Sequence, residues 1–337
     1  MRDQIQKLLD ELTAGNDSRL FVFDLHIERE ENGIVSVSGS LLTKDQLSTL
    51  TETFSRQFPD LVLDSASILI IDRPNLPCFH VSTNFTGYYE KPTFRVPLLS
   101  ELPYGTELEI LKEKEHWVFA RQQDGYLGWA YKPYLAEGAA PAATHLVIAP
   151  SHELYAEPGM AAEVITRLMS GTGVQVEETG GEWSRINANK SGWLPSRVLR
   201  SIESLPQTLE ERRRTLLEDS QRMTGVPYLW GGLSGNGIDC SGLARLLHRW
   251  IGIDIPRDAD MQCQAARLVE PPFEVGDLFF FAEDDDKRNI SHVGMSLGGW
   301  KMIHSSRSRN GVYIDDLNER KSLMDIFVSA GSFLKEL

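Results

Sequence analysis

Residues 225–242 read G-V-P-Y-L-W-G-G-L-S-G-N-G-I-D-C-S-G, a glycine- and aromatic-rich loop that leads into Cys240. Beyond it, Leu243, Ala244, Leu246, Leu247 and Trp250 fall at helical spacing and predict one buried helix face. Cys240 is thus expected at a helix N-terminus, where the positive end of the macrodipole favours thiolate. An ordinary cysteine, with a pKa near ~8.5, holds little thiolate at neutral pH. The stretch reads as a device for making one sulfur nucleophilic.

A nucleophile needs a base. Residues 289–297 read N-I-S-H-V-G-M-S-L and alternate in strand fashion around His292, and residues 300–305, W-K-M-I-H-S, predict a second strand carrying His304. Two neighbouring antiparallel strands would bring the imidazoles together, one to accept the thiol proton and the other to orient it. The remaining histidines, at 26, 80, 116, 145, 152 and 248, read as structural or solvated. Cys78 and Cys263 read as small buried hydrophobes.

Together the Y-x-W-G-G…D-C-S-G block, the S-H-V-G strand and the H-S strand resemble the NlpC-type (NlpC and p60) cell-wall cysteine peptidases, over roughly residues 205–337. The resemblance implies a papain-like α+β domain that hydrolyses peptide bonds in bacterial peptidoglycan stems. It makes Cys240 the nucleophile, His292 the general base and His304 the orienting residue. Tyr228, at the tyrosine of Y-x-W-G-G, would line the site and help bind the oxyanion or the catalytic water.

Upstream, residues 1–74 predict a small α+β domain: an amphipathic helix, strands at 20–29 and 33–40, a helix at 43–58 and a strand at 65–72. Thr43 is a candidate N-cap with Gln46 three residues on, and Leu47, Leu50, Phe54 and Phe58 make one apolar helix face. This order, with the V-x-V-S-G-S-L turn, resembles a BON-type domain of bacterial envelope proteins; without that resemblance it is a packing or oligomerisation module. Residues 75–137 and 144–200 look like two related units of short strands and glycine turns, each with a G-W before its last strand. They resemble bacterial SH3-like barrels. The small-residue run G-A-A-P-A-A at 138–143 links them, and Pro206 with a helix at 210–221 marks the start of the catalytic domain at 205–337. The expected architecture is a multidomain α+β protein: a small α+β domain, two SH3-like β-barrels and a papain-like C-terminal domain.

Two such barrels before an NlpC-type domain is the layout of the γ-D-glutamyl-L-diamino acid endopeptidases of murein peptide recycling. That resemblance implies a stem-peptide substrate, L-Ala-γ-D-Glu-diamino acid with a free L-alanine amine, and a site that grips the ammonium. A desolvated ammonium needs a carboxylate and further acceptors. Asp239 beside the nucleophile, Glu90 in Y-Y-E-K-P and Tyr126 in D-G-Y-L-G-W-A are the candidates. Ser241 and Asp258 could bind the D-glutamate carboxylate or backbone, and Arg257 could counter that carboxylate or serve as a structural ion-pair partner. After Asp258 the resemblance implies a small hydroxyl residue where this chain has Ala259, which puts one substrate hydrogen bond in doubt.

The 337 residues suggest two or three domains, and 41% hydrophobic with 24% charged residues is ordinary for a soluble globular protein. A formal charge of −14 argues against nucleic acid as a partner. Three widely spaced cysteines form neither a disulfide framework nor a zinc site, and the acidic run 283–286 reads as a loop tip. No metal or organic cofactor is called for. With no signal peptide, membrane span or lipidation cysteine, a cytoplasmic location is expected. Two other readings are a secreted peptidoglycan-remodelling hydrolase and a non-catalytic wall-peptide binding protein; an acyltransferase or amidase on the same scaffold is a further one.

Overall fold

The computed structural model describes residues 1–283 and 289–335. The chain divides into two compact units, residues 1–79 with 107–132, and residues 80–106 with the chain from 133 onward.

The first unit opens with helix α1 (Arg2–Ala14), followed by strands Phe23–Glu31 and Ile34–Leu41, helix α2 (Lys44–Gln57) and strand Val62–Ile70. The first two strands pair antiparallel, the second and third parallel. Both helices cover one sheet face, burying Ile5, Leu8, Leu9, Leu50 and Phe54 with Val35, Val37 and Leu41. Helix α2 starts where its cap dictates. The Thr43 hydroxyl accepts from Gln46 N–H at 3.3 Å, and Gln46 Oε1 accepts from Thr43 N–H at 3.0 Å. The strand expected at 33–40 forms as Ile34–Leu41 and takes in the whole V-x-V-S-G-S-L segment. Its glycine serves close strand approach: at Gly39, φ +130°, a Cβ would collide with the Asp24 carbonyl. The unit also holds an antiparallel meander of strands Glu107–Lys114, Trp117–Arg121 and Leu127–Tyr131. Leu42 and Ile71 pack on Leu111 and Leu127, and Arg121 pairs with Asp72 at 3.0 Å.

The second unit begins with an antiparallel hairpin, Phe85–Tyr89 and Leu98–Pro103. Residues expected in one barrel, 75–137, therefore contribute to both units. Seven short strands between His145 and Ser201 then form an SH3-like sheet around Val147, Leu154, Leu168, Val174, Ile186 and Leu194.

The C-terminal part carries helices α3 (Leu209–Ser220), α4 (Cys240–Trp250), α5 (Ala259–Ala265) and α6 (Lys321–Ile326). Its antiparallel sheet runs in the order Arg267–Val269, Phe327–Ser332, Leu278–Phe281, His292–Ser296, Lys301–Ser306, Gly311–Asp316. Helix α4 lays Leu243, Leu246, Leu247 and Trp250 among Leu278, Phe280, Val293, Met295 and Ile303. Each such side chain stabilises by about 1.5–3 kcal/mol when taken from water. That burial fixes the helix carrying Cys240 against the strand carrying His292. No helix among the described residues is long and apolar enough to cross a membrane. Of the acidic run, Glu283 is exposed, while 284–286 lie outside the described residues.

Candidate active site

Helix α4 begins at Cys240 because Asp239 caps it, Oδ1 accepting from Gly242 N–H at 2.7 Å. The other oxygen accepts from Gly231 N–H at 2.9 Å and folds the glycine loop back onto the helix start. Arg257, 1% exposed, reaches the same carboxylate with Nη1 at 3.1 Å and Nη2 at 2.8 Å. Nη1 also donates to the Ser241 hydroxyl at 3.0 Å, and that hydroxyl donates to Asp239 Oδ1 at 3.2 Å.

Those contacts bear on three expectations. Five donors converge on Asp239, and a carboxylate offers about four lone-pair sites. The contacts give Asp239 the work of capping and charge pairing. The Ser241 side chain belongs to the same buried network, and Arg257 takes the second of its two expected roles, a structural ion-pair partner. Gln262, unnoticed in the sequence, ties the network down by donating to the Ser241 carbonyl at 3.0 Å and the Pro256 carbonyl at 2.8 Å.

Strand Leu98–Pro103 closes on this loop. Arg257 Nε donates to the Ser100 hydroxyl at 3.0 Å, and Glu101 Oε2 accepts from Leu233 N–H at 2.9 Å. Gly231, φ +76°, has no room for a side chain, since a Cβ would stand 2.5 Å from the Leu98 carbonyl oxygen. Burial pushes the Glu101 carboxyl above the usual carboxylate range. Glu101 was missed in the sequence; the available signal was a Ser-Glu pair inside the otherwise apolar L-L-S-E-L run. Glu90, the carboxylate chosen there, is exposed just beyond strand Phe85–Tyr89.

Cys240 packs in one buried cluster with Val293, the residue next to His292, and the Val293 and Ser241 backbone N–H groups pull its thiol toward ionisation. Burial pushes the thiol up to about 12, the Asp239 charge adding to the effect against the pull of those N–H groups and Arg257. Desolvation and a neighbouring carboxylate thus oppose the pull of the helix terminus toward thiolate and favour the protonated thiol. Burial likewise holds His292 down to about 3, with His304 adding to the shift. Both shifts favour a neutral thiol and a neutral imidazole.

His292 Nε2 lies 2.8 Å from His304 Nδ1, the rings at 71°. Gly294 of S-H-V-G makes this approach possible, because a Cβ there would stand 3.2 Å from His304 Cβ and 2.5 Å from Met302 Sδ. His304 Nε2 lies 2.9 Å from Asp315 Oδ2, and Asp315 Oδ1 accepts from Arg309 Nη1 at 2.8 Å. Arg320 Nε stands 3.7 Å from Oδ1. Burial alone would raise the Asp315 carboxyl, but His304 and Arg309 outweigh it and hold the group below its ordinary value. Asp315, too, was missed. Strand register pairs His304 with Tyr313, which puts Asp315, two residues on, on the face of His304.

Tyr228 bridges to Ile238, and burial followed by the neighbouring Cys240 pushes its phenol up to about 12, so the hydroxyl remains a donor. Asp258 is the N-cap residue of α5, partly exposed, with Ala259 buried behind it. Tyr126 lies in the first unit and is 2% exposed. No cluster of His, Cys, Asp and Glu among the described residues is arranged to hold a metal.

Residues 225–328 match the profile of the NlpC/P60 family, and residues 153–200 match that of the bacterial SH3 domain. Two relatives are named gamma-D-glutamyl-L-lysine dipeptidyl-peptidase. The one from Bacillus cereus is 30% identical over 64% of this chain and 69% of its own length. The one from Bacillus subtilis is 29% identical over 65% of this chain and 76% of its own length. The crystal structure of an NlpC/P60 family protein from Bacillus cereus shares the fold, with a TM-score of 0.65 at 23% identity over 77% of this chain and all of the other.

Proposed function

Because the chain belongs to the NlpC/P60 family of cysteine peptidases, we propose that it cuts the γ-D-glutamyl–diamino acid bond of peptidoglycan stem peptides whose L-alanine amine is free. The observation that carries the reading is Cys240 at the start of α4, packed in one buried cluster with Val293, while His292, the residue before Val293, pairs with His304. The named activity of the two Bacillus relatives supports the substrate class.

The neutral pair defines the order of events. His292 takes the thiol proton as sulfur attacks the γ-glutamyl carbonyl, forming the carbon–sulfur bond and an oxyanion. First-turn N–H groups of α4 and the Tyr228 hydroxyl stabilise that oxyanion. Collapse breaks the carbon–nitrogen bond, and the departing amine takes the proton from His292. Water, giving its proton to the same imidazole, then cleaves the thioester and restores the thiol. Glu90, solvated and near the hairpin end, is the carboxylate proposed to meet the substrate ammonium. A cytoplasmic site of action belongs to the same proposal, and cell fractionation tests it.

The deciding assay offers L-Ala-γ-D-Glu-diaminopimelate, its N-acetylated form and intact sacculi to the full chain, with Cys240→Ala as control. Cleavage of the free tripeptide alone, lost in the variant, is the expected result. Equal action on sacculi would point to wall remodelling, and an inert wild type to a binding protein.

A further inference from the structure

We propose that Asp315 is a positioning residue that sets the tautomers of both histidines and so leaves a lone pair on His292 for the thiol. The inference deepens the peptidase reading above and rests on it.

The argument runs along three hydrogen bonds. Carboxylate oxygens only accept, so the 2.9 Å contact between His304 Nε2 and Asp315 Oδ2 requires the proton on His304 Nε2. A neutral imidazole carries one N–H, which leaves His304 Nδ1 as an acceptor. The 2.8 Å contact to His292 Nε2 then requires His292 to be the donor. The lone pair of His292 is thereby confined to Nδ1, the nitrogen not occupied by His304. Burial keeps His304 below its ordinary value despite the Asp315 carboxylate, with Arg309 and Arg320 opposing that carboxylate's pull. The carboxylate therefore orients the histidine pair without charging it at rest.

The two arginines make the test unusually discriminating. Arginine only donates, and Arg309 and Arg320 both face Oδ1 of Asp315. In Asp315→Asn the amide oxygen is drawn to the arginines, and the NH2 group is turned toward His304 Nε2. That contact demands a lone pair on Nε2, moves the His304 proton to Nδ1 and reverses the bond to His292. His292 then carries its proton on Nδ1 and cannot accept one from sulfur. Asp315→Ala imposes no tautomer.

The isosteric asparagine variant is therefore expected to be the worse one. Reversing the tautomer of a catalytic histidine costs about 10⁴-fold in a directly coupled triad, and one link further out a loss of about 10²–10³-fold in kcat is expected. The alanine variant should lose about tenfold less. Asparagine equal to or better than alanine, in variants that remain folded, overturns the proposal. The independent readout is long-range 1H–15N NMR of histidine-labelled full chain at pH 7. His292 and His304 should both appear as Nε2–H tautomers in the wild type and as Nδ1–H in Asp315→Asn. Nδ1–H tautomers in the wild type overturn the proposal even if neither variant folds. A wild type with the expected tautomers that leaves the tripeptide intact refutes the substrate reading and spares this one.

Discussion

Arg257, almost wholly buried, holds both carboxylate oxygens of Asp239, one residue before Cys240. Removing one partner of a buried pair strands the other charge, at a cost of about 3–5 kcal/mol. Arg257→Met is expected to destabilise the catalytic domain by that order, read at its chemical-denaturation transition. Adding Asp239→Asn, which keeps the helix cap, should recover a good part of the loss. Strictly additive losses would mean that the pair is not coupled.

The protonation states of the resting pair set the pH dependence of activity. As the proposed base His292 must be neutral, and burial holds it down to about 3. Its competent form therefore persists as pH falls through the ordinary histidine range, and the acid limb of kcat/KM should lie below pH ~5 instead of near ~6.5. The thiol, pushed up to about 12, should be alkylated by iodoacetamide at a rate still climbing with pH at ~9. A rate constant with pH above ~5 would indicate a preformed thiolate–imidazolium pair.

Stability at low pH should fall for a different histidine. His248 is completely buried, lies 2.8 Å through Nδ1 from the Ala244 carbonyl, and is held down to about 4 by burial. The unfolded chain binds its proton at the ordinary value of 6.5, so stability is complete above that pH and is lost as pH drops toward 4. The loss reaches on the order of 3 kcal/mol by pH 4, from about 1.4 kcal/mol per pH unit. His248→Leu should flatten the acid limb of Tm against pH. An unchanged acid limb would assign the loss to other groups.

Gly294→Ala tests the spacing of the histidines. Its methyl group would press on Met302 Sδ and His304 Cβ, so His304 must shift away from His292. Activity is expected to drop by about 10²-fold, the range for a misplaced catalytic group, with the fold retained by circular dichroism. Near-normal kcat would show that the ring tolerates displacement.

Recognition of the catalytic domain was possible because its signals are local. Cys240 sits between a glycine loop and an amphipathic helix, and His292 and His304 sit in short alternating strands, so period and spacing placed them on their elements and the family resemblance implied their roles. The cap at Thr43 was equally readable, since a capping box lies within four residues. What stayed hidden depends on partners distant in sequence. Asp239 looks available until Arg257, eighteen residues on, is seen to occupy it. Asp315 acquires meaning only through strand register with His304, and Glu101 only through Leu233, 132 residues away. The force opposing thiolate stayed hidden for the same reason: a helix terminus is visible in sequence, whereas the desolvation comes from the packed fold.

The seam between strand Leu98–Pro103 and the glycine loop bears on how this enzyme can be dissected or recombined. Ser100 completes the guanidinium shell of Arg257, and Glu101 anchors the backbone beside it. A peptidase fragment severed at residue 205 would let solvent reach the Arg257 edge and slacken the turn that aims Cys240. Grafting this catalytic module onto foreign wall-binding domains should thus yield poor enzymes unless the hairpin travels with it.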